Sequence, residues 1–340
     1  MPPSTLETDL ALIGRWNSWL EASKGRSLAT VAKYRRTLLR LADWLAGQNL
    51  RLASATTERL ESWSGLELHR AGLGARTRRA VVAALKNYYL WAHRQGHAPG
   101  NPAARLEYPA AGRRLPVALT LDSAEKLLLQ PDLNTFLGVR DAAIIAILIG
   151  CGVRVSGLTA LNDGDLMWMR GDDAKERLVV RVTEKGKKQR LIPAPAETRL
   201  FVRAYLGHPE LDQADRLLES GDKVLFISTG ARHVTADKYR GEERRIRPGA
   251  VWEIIKKHGR AAGVPDAQLH PHAARHLYGT EFAESDVNQL VTQALMGHED
   301  PKSTGIYTHL AMRRLMRAVD KASPIAKIKT PVSELARSLQ

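Results

Sequence analysis

Residues 98–116 divide this chain more firmly than any other stretch. They hold Pro99, Gly100, Pro102, Pro109, Gly112 and Pro116, with Arg113-Arg114 between them. Neither a helix interior nor a central strand continues through such a density of proline and glycine. Whatever precedes the stretch and whatever follows it must therefore each bury its own core. The 340 residues are enough for two domains of ordinary size, and 44% apolar residues are enough to fill both.

The first part reads as helices joined by short turns. Leu6, Leu10, Ile13 and Leu20 form an apolar stripe. Ser27 is placed to cap a helix running to about Ala46, with Leu28, Val31, Leu38, Leu41 and Leu45 facing inward. Its other face carries Lys33, Arg36 and Arg40. A weaker amphipathic segment covers residues 57–70. Another, over residues 76–95, combines Val81, Leu85 and Tyr88 with Arg76, Arg79 and Lys86. Taken alone, such basic faces suit any solvated helical surface.

The second part reads as mostly helical with a small sheet. Residues 140–149 form an apolar helix. Residues 178–183 and 190–192 alternate as the arms of a hairpin, with Lys185, Gly186, Lys187 and Lys188 at its turn. Residues 207–249 are charged, and read as an inserted loop or arm. Near the end, Thr330-Pro331 opens a last short helix with an apolar stripe of Val332, Leu335, Ala336 and Leu339. One short helix after a link is unstable alone and must dock on its own domain or on a neighbour.

The net charge of +15 points to a polyanionic partner. It is spread along the chain, with 16 Lys and Arg against 8 Asp and Glu up to residue 112, and 35 against 28 after it. One cysteine, Cys151, excludes an internal disulfide and fits a reducing, cytoplasmic setting. Its place beside Gly150 and Gly152 suits a small buried residue rather than a nucleophile. No run of about 18 apolar residues offers a membrane span, and Met1-Pro2-Pro3-Ser4 carries no secretory pattern.

Chemistry concentrates in five local patterns: Gly152-Val153-Arg154-Val155-Ser156, Lys185-Gly186-Lys187-Lys188-Gln189-Arg190, His272-Ala273-Ala274-Arg275-His276, Leu295-Met296-Gly297-His298 and Ser303-Thr304-Gly305-Ile306-Tyr307-Thr308-His309. From them come Arg154, Lys185, His272, Arg275, His298 and Tyr307. Three cations, two histidines and a phenol make sense together at a phosphodiester under nucleophilic attack. Arginines supply fixed planar donors for its non-bridging oxygens. A phenol, with a pKa near 10, needs a proton acceptor and a charge-stabilising site.

This set, in this order, resembles the tyrosine recombinase (phage integrase) family, over roughly residues 140–307. The resemblance implies a chain that is mainly α with a small β-sheet. It implies an N-terminal helical core-binding (SAM-like) domain at 1–107, a basic linker at 108–116 and an α+β tyrosine recombinase catalytic domain at 117–325. A tail helix at 326–340 would be able to dock in trans. Tyr307 would attack, giving a 3′-phosphotyrosyl bond and a free 5′-hydroxyl, so that strands rejoin without ATP. Arg154 and Arg275 would clamp the phosphate, His272 would accept the proton, and His298 would donate to a non-bridging oxygen. Lys185 would protonate the leaving 5′-oxygen, with Lys187 and Lys188 competing on charge alone.

The partner implied is double-stranded DNA with inverted half-sites, bound by a homodimer that pairs into a tetramer, alone or with a second recombinase. Strands would be exchanged through a Holliday junction, for integration, excision or dimer resolution. Backbone grip would fall to Lys33, Arg36, Arg40, Arg76, Arg79, Lys86, Lys187 and Lys188. No cofactor and no metal are called for. His270, His272 and His276 could be arranged as zinc ligands, but no His-Glu-x-x-His motif or suitable cysteine accompanies them.

Alternatives are a non-catalytic DNA-binding regulator of the same fold, a type IB topoisomerase-like enzyme, and a metal-dependent nuclease. One departure from the family pattern stands out: Gly157 occupies the place of the usual acidic residue after Ser156.

Overall fold

A computed structural model describes residues 5–112, 117–170, 176–183, 189–230, 235, 238–285, 287–296 and 309–338. The chain forms two compact units, Met1–Arg114 and Leu115–Gln340.

The first unit is helical: α1 (Thr5–Ala22), α2 (Leu28–Ala46), α3 (Thr57–Glu61), a π turn (Ser62–Glu67), α4 (Leu68–Arg70) and α5 (Ala75–Arg94). Ser27 caps α2 by accepting the Thr30 N–H, and Thr56 caps α3 in the same way through Arg59. The core gathers Ile13, Trp16, Leu20, Leu38, Leu41, Leu45, Trp63, Leu85, Tyr88 and Tyr89. Trp16 stacks on Tyr34 and meets Tyr88 edge-on.

Two residues of the expected inward stripes face solvent. Leu10 is exposed, and so is Leu28, at the first position of α2. The buried stripe of α1 runs through Asp9, Ile13, Trp16 and Leu20 instead. Asp9 is tolerated inside because its carboxylate accepts the Leu52 N–H at 2.9 Å. Burial pushes its pKa up, against that hydrogen bond and the nearby Arg51.

The second unit begins with α6 (Leu121–Leu128), α7 (Phe136–Cys151) and α8 (Val155–Thr159). A three-stranded antiparallel sheet follows: β1 (Leu166–Arg170), β2 (Glu176–Thr183) and β3 (Gln189–Ala194), in the order β1-β2-β3. The expected hairpin is β2–β3, with Val182 opposite Arg190, and β1 is added on the other side of β2. Then come α9 (Ala196–Leu206), α10 (Pro209–Asp212), α11 (Pro248–Ala261), α12 (Pro271–Glu284), α13 (Gln289–Met296), α14 (His309–Ala322) and α15 (Ser333–Ser338). Helix α7 is buried along nearly its whole length and packs against α6, α9, α12 and β3.

Residues 207–249 are not a projecting arm where they are described. Leu211, Val224, Leu225, Phe226, Ile227 and Ile246 join the main core. Arg216, 6% exposed, binds Asp163 Oδ1 at 2.6 Å and the Val224 carbonyl at 2.9 Å. Arg245 donates to the Thr159 and Leu161 carbonyls and to Asn162 Oδ1. Arg216 and Arg245, which suggested a solvated loop, are turned inward and satisfied by carbonyls and polar side chains.

The tail lies on its own unit. Ser323 Oγ donates to the Gly150 carbonyl at 2.9 Å, Ile325 is fully buried, and Lys327 pairs with Glu281 at 2.7 Å. Helix α15 packs beside α9. It starts at Ser333 rather than at Pro331, and Leu335 is 53% exposed. Thr330 spends its hydroxyl on Ser333 and on the Val332 N–H, in a turn ahead of the helix. Among the described residues, no helix is long and apolar enough to cross a membrane.

Candidate active site

The site is built where α7 stops. Its C-terminal Gly152 adopts the left-handed conformation (φ 58°), and a Cβ there would stand 2.6 Å from the Tyr278 ring. Glycine is required both by the backbone and by the aromatic beside it. The turn buries Val153 and delivers Arg154, half-buried, to the start of α8, where its carbonyl accepts the Leu158 N–H.

Arg275 sits one turn into α12 and is 6% exposed. Its Nη1 donates to the Gly152 carbonyl at 2.6 Å, and its Nη2 donates to the Met296 carbonyl. One guanidinium thus joins the turn that leads to Arg154 with the end of α13, two residues before His298. The planar fork makes this possible, since it places several donors in fixed directions.

His272 lies on the exposed side of the first turn of α12. Its pKa is lowered, first by partial burial and then by His276, Arg275 and Arg154. Those two arginines act on one imidazole, which brings Arg154, His272 and Arg275 together. Above the depressed pKa the ring is neutral, so near pH 7 it can accept a proton.

Gly157 is buried, and a Cβ on it would approach Val182 Cγ1 to 2.7 Å. Helix α8 packs onto β2 at that point, so an acidic side chain has no room unless Val182 shifts. Behind the site, Cys151 is completely buried, and burial pushes its thiol up to about 12 against the nearby Arg190 charge. That agrees with a packing role.

Lys185, Lys187, Lys188, His298 and Tyr307 lie outside the described residues. In the first unit, Lys33, Arg36 and Arg40 are exposed along α2. The α5 cations are not an open stripe. Arg76 donates to the Gly112 carbonyl, Arg79 to Pro109 and Lys86 to Ala104. Arg79 and Lys86 also lie over the Tyr108 ring. Two residues beside the site have a place that sequence reasoning missed, with His270 weighed only as a zinc ligand and Trp252 not named. His270 caps α12, and Trp252 of α11 stacks on it. A histidine just before a helix-starting proline was the available clue.

Residues 118–314 match the Phage integrase family, and residues 13–96 match the phage integrase N-terminal SAM-like domain. The chain belongs to the phage integrase family. It is 31% identical over 299 residues to tyrosine recombinase XerD of Proteus mirabilis, covering 87% of each chain. It is 31% identical over 326 residues to tyrosine recombinase XerC of Alcanivorax borkumensis, covering 95% of this chain and 96% of that one.

Two solved structures share the fold. One is the XerH site-specific recombinase bound to its difH substrate (TM-score 0.61, 16% identity, 91% of this chain and 83% of that). The other is the Tn1549 transposon integrase with circular intermediate DNA (TM-score 0.59, 20% identity, 91% and 98%). Cleavage and rejoining of DNA strands is characteristic of this family.

Proposed function

We propose that this phage integrase family member is a site-specific DNA recombinase of the Xer-like kind, working by a 3′-phosphotyrosyl intermediate and a Holliday junction. The observation that carries the reading is Arg275, fixed between the Gly152 and Met296 carbonyls, with its charge and that of Arg154 acting on His272.

In the proposed step, the Tyr307 oxygen attacks phosphorus and His272 takes its proton. Arg154 and Arg275 hold the two non-bridging oxygens, and His298 donates to one of them. The bond to the 5′-oxygen breaks, and Lys185 protonates that oxygen. Fixed cations aimed at developing charge cost little reorganisation during the reaction. The reverse attack by a 5′-hydroxyl restores the diester and frees the tyrosine, so no energy source is consumed.

The assembly proposed is a dimer on two inverted half-sites of double-stranded DNA, paired into a tetramer, in the cytoplasm. Residues 1–107 would grip the DNA core and residues 117–325 would carry the chemistry. The tail would hold its place in cis, as drawn by Ser323 and Ile325, or exchange between protomers.

The test is covalent capture. The protein and a Tyr307→Phe variant are incubated with sheared source DNA in EDTA, and SDS-resistant adducts are sequenced. Adducts with wild type only, clustered at one inverted repeat, are expected. Scattered adducts indicate a topoisomerase, and binding without adducts indicates a regulator.

A further inference from the structure

Helix α12 opens on a histidine, where most helices open on serine, threonine, aspartate or asparagine. His270 is extended (φ −149°, ψ 150°), and its Nδ1 accepts the Ala273 N–H at 2.9 Å. The same N–H also meets the His270 carbonyl at 2.9 Å. Pro271 fills the first helical position, where no N–H is needed. Only a neutral imidazole can cap this way, because a protonated ring carries a donor on both nitrogens.

The ring is seated. Trp252 of α11 stacks on it, with centroids 6.2 Å apart and planes 27° apart. Lys256 Nζ lies 5.5 Å from the centre of the same indole. Elsewhere His270 borders a small cavity with Leu119, Leu127, Ile255, Gln268 and Ala274. The titratable groups bearing on it are His272 and His276 from α12, while Lys256 of α11 lies over the Trp252 ring.

We propose that His270 is a positioning residue for strand cleavage: as a neutral cap seated on Trp252, it holds the first turn of α12, and with it His272, in the geometry of attack. This rests on the base role proposed for His272. A proton on Nδ1 would face the Ala273 N–H donor to donor, so the ring must turn away. It would also put positive charge at the positive end of the helix. The turn that presents His272, two residues on, then loses its cap. Burial and the neighbouring histidines already lower the pKa of His270, as burial and neighbouring cations lower that of His272. Both protonations therefore fall below the ordinary histidine range, and either one stops the attack. The acid side of the rate profile should lose two protons, not one.

The experiment measures covalent adducts of the full chain with sheared source DNA in EDTA, from below the histidine range to above it. His270→Ser keeps a cap that does not titrate. It should stay within about twofold of wild type at high pH and reduce the acid limb from two protons to one. His270→Ala, which lacks the cap at any pH, should fall at least about tenfold at high pH and keep only a one-proton acid limb. A one-proton limb in wild type, a two-proton limb kept by His270→Ser, or an undiminished His270→Ala overturns the proposal.

His272→Gln runs alongside. If it forms adducts like wild type, the base role itself fails. If it is inactive while the His270 variants behave like wild type, only the positioning role fails. Imidazole nitrogen spectra of the full chain read the cap without any reaction. They should show His270 protonated at Nε2 and accepting at Nδ1, and the opposite tautomer overturns the cap whatever the adducts do.

Discussion

Arginines in the two units of this protein do the same thing in different surroundings. In the second unit, Arg275, Arg216 and Arg245 reach inward and end on backbone carbonyls. In the first, Arg76 and Arg79 of α5 also end on carbonyls, those of Gly112 and Pro109, but at the surface. What differs is the access of water. A buried carbonyl that loses its donor finds no replacement, so its bond is costly to break and the side chain stays fixed. An exposed carbonyl trades its donor for water at little cost. The α5 cations can then exchange the chain's own carbonyls for another acceptor, such as a phosphate oxygen.

The contrast can be broken most directly at Arg275. Lysine keeps the charge but cannot span the Gly152 and Met296 carbonyls. Arg275→Lys should lower adduct formation by roughly 10²–10³-fold, and wild-type rates would show that the fixed fork is unimportant. Next is Arg245→Met, which strips donors from Thr159, Leu161 and Asn162. Denaturant unfolding should show a loss of about 2–3 kcal/mol; a neutral result would return residues 207–249 to the status of a loose arm.

Gly157→Asp tests whether the family's usual acid fits this chain. The crowding with Val182 predicts a loss of about 1–3 kcal/mol in thermal or denaturant unfolding, and a gain would mean that Val182 yields. The smallest effect belongs to Arg79→Ala. Stability should change by less than about 1 kcal/mol, while the salt dependence of DNA binding should flatten by about one unit if Arg79 exchanges to a phosphate. An unchanged slope would leave it as a clasp for Tyr108 alone.

Where the sequence was legible, the pattern was local. The Ser27 cap, the buried α7 and the β2–β3 hairpin each declare themselves within a few residues. Arg154, His272 and Arg275 were picked out for the same reason, each sitting inside a short run of distinctive neighbours. Asp9 was not. Nothing near it indicates that the Leu52 N–H, 43 residues away, will meet it inside. Arg216 and Arg245 misled for a like reason, since charge marks a solvated loop unless a distant carbonyl claims it. The His270 cap was hidden because histidine is a rare choice for that position, and its seat, Trp252, comes from another helix.

Alone, the sequence determined the division into two cores, the helical and hairpin periods and the basic character. These depend on residue type and spacing along one strand of chain. Only the tertiary structure decided that Arg275 ties the Gly152 turn to the end of α13, that residues 207–249 belong to the core, and that Gly157 leaves no room for an acid. Such facts depend on which donor meets which acceptor across long separations, and on the volume left between packed elements. Neither is written in any local pattern.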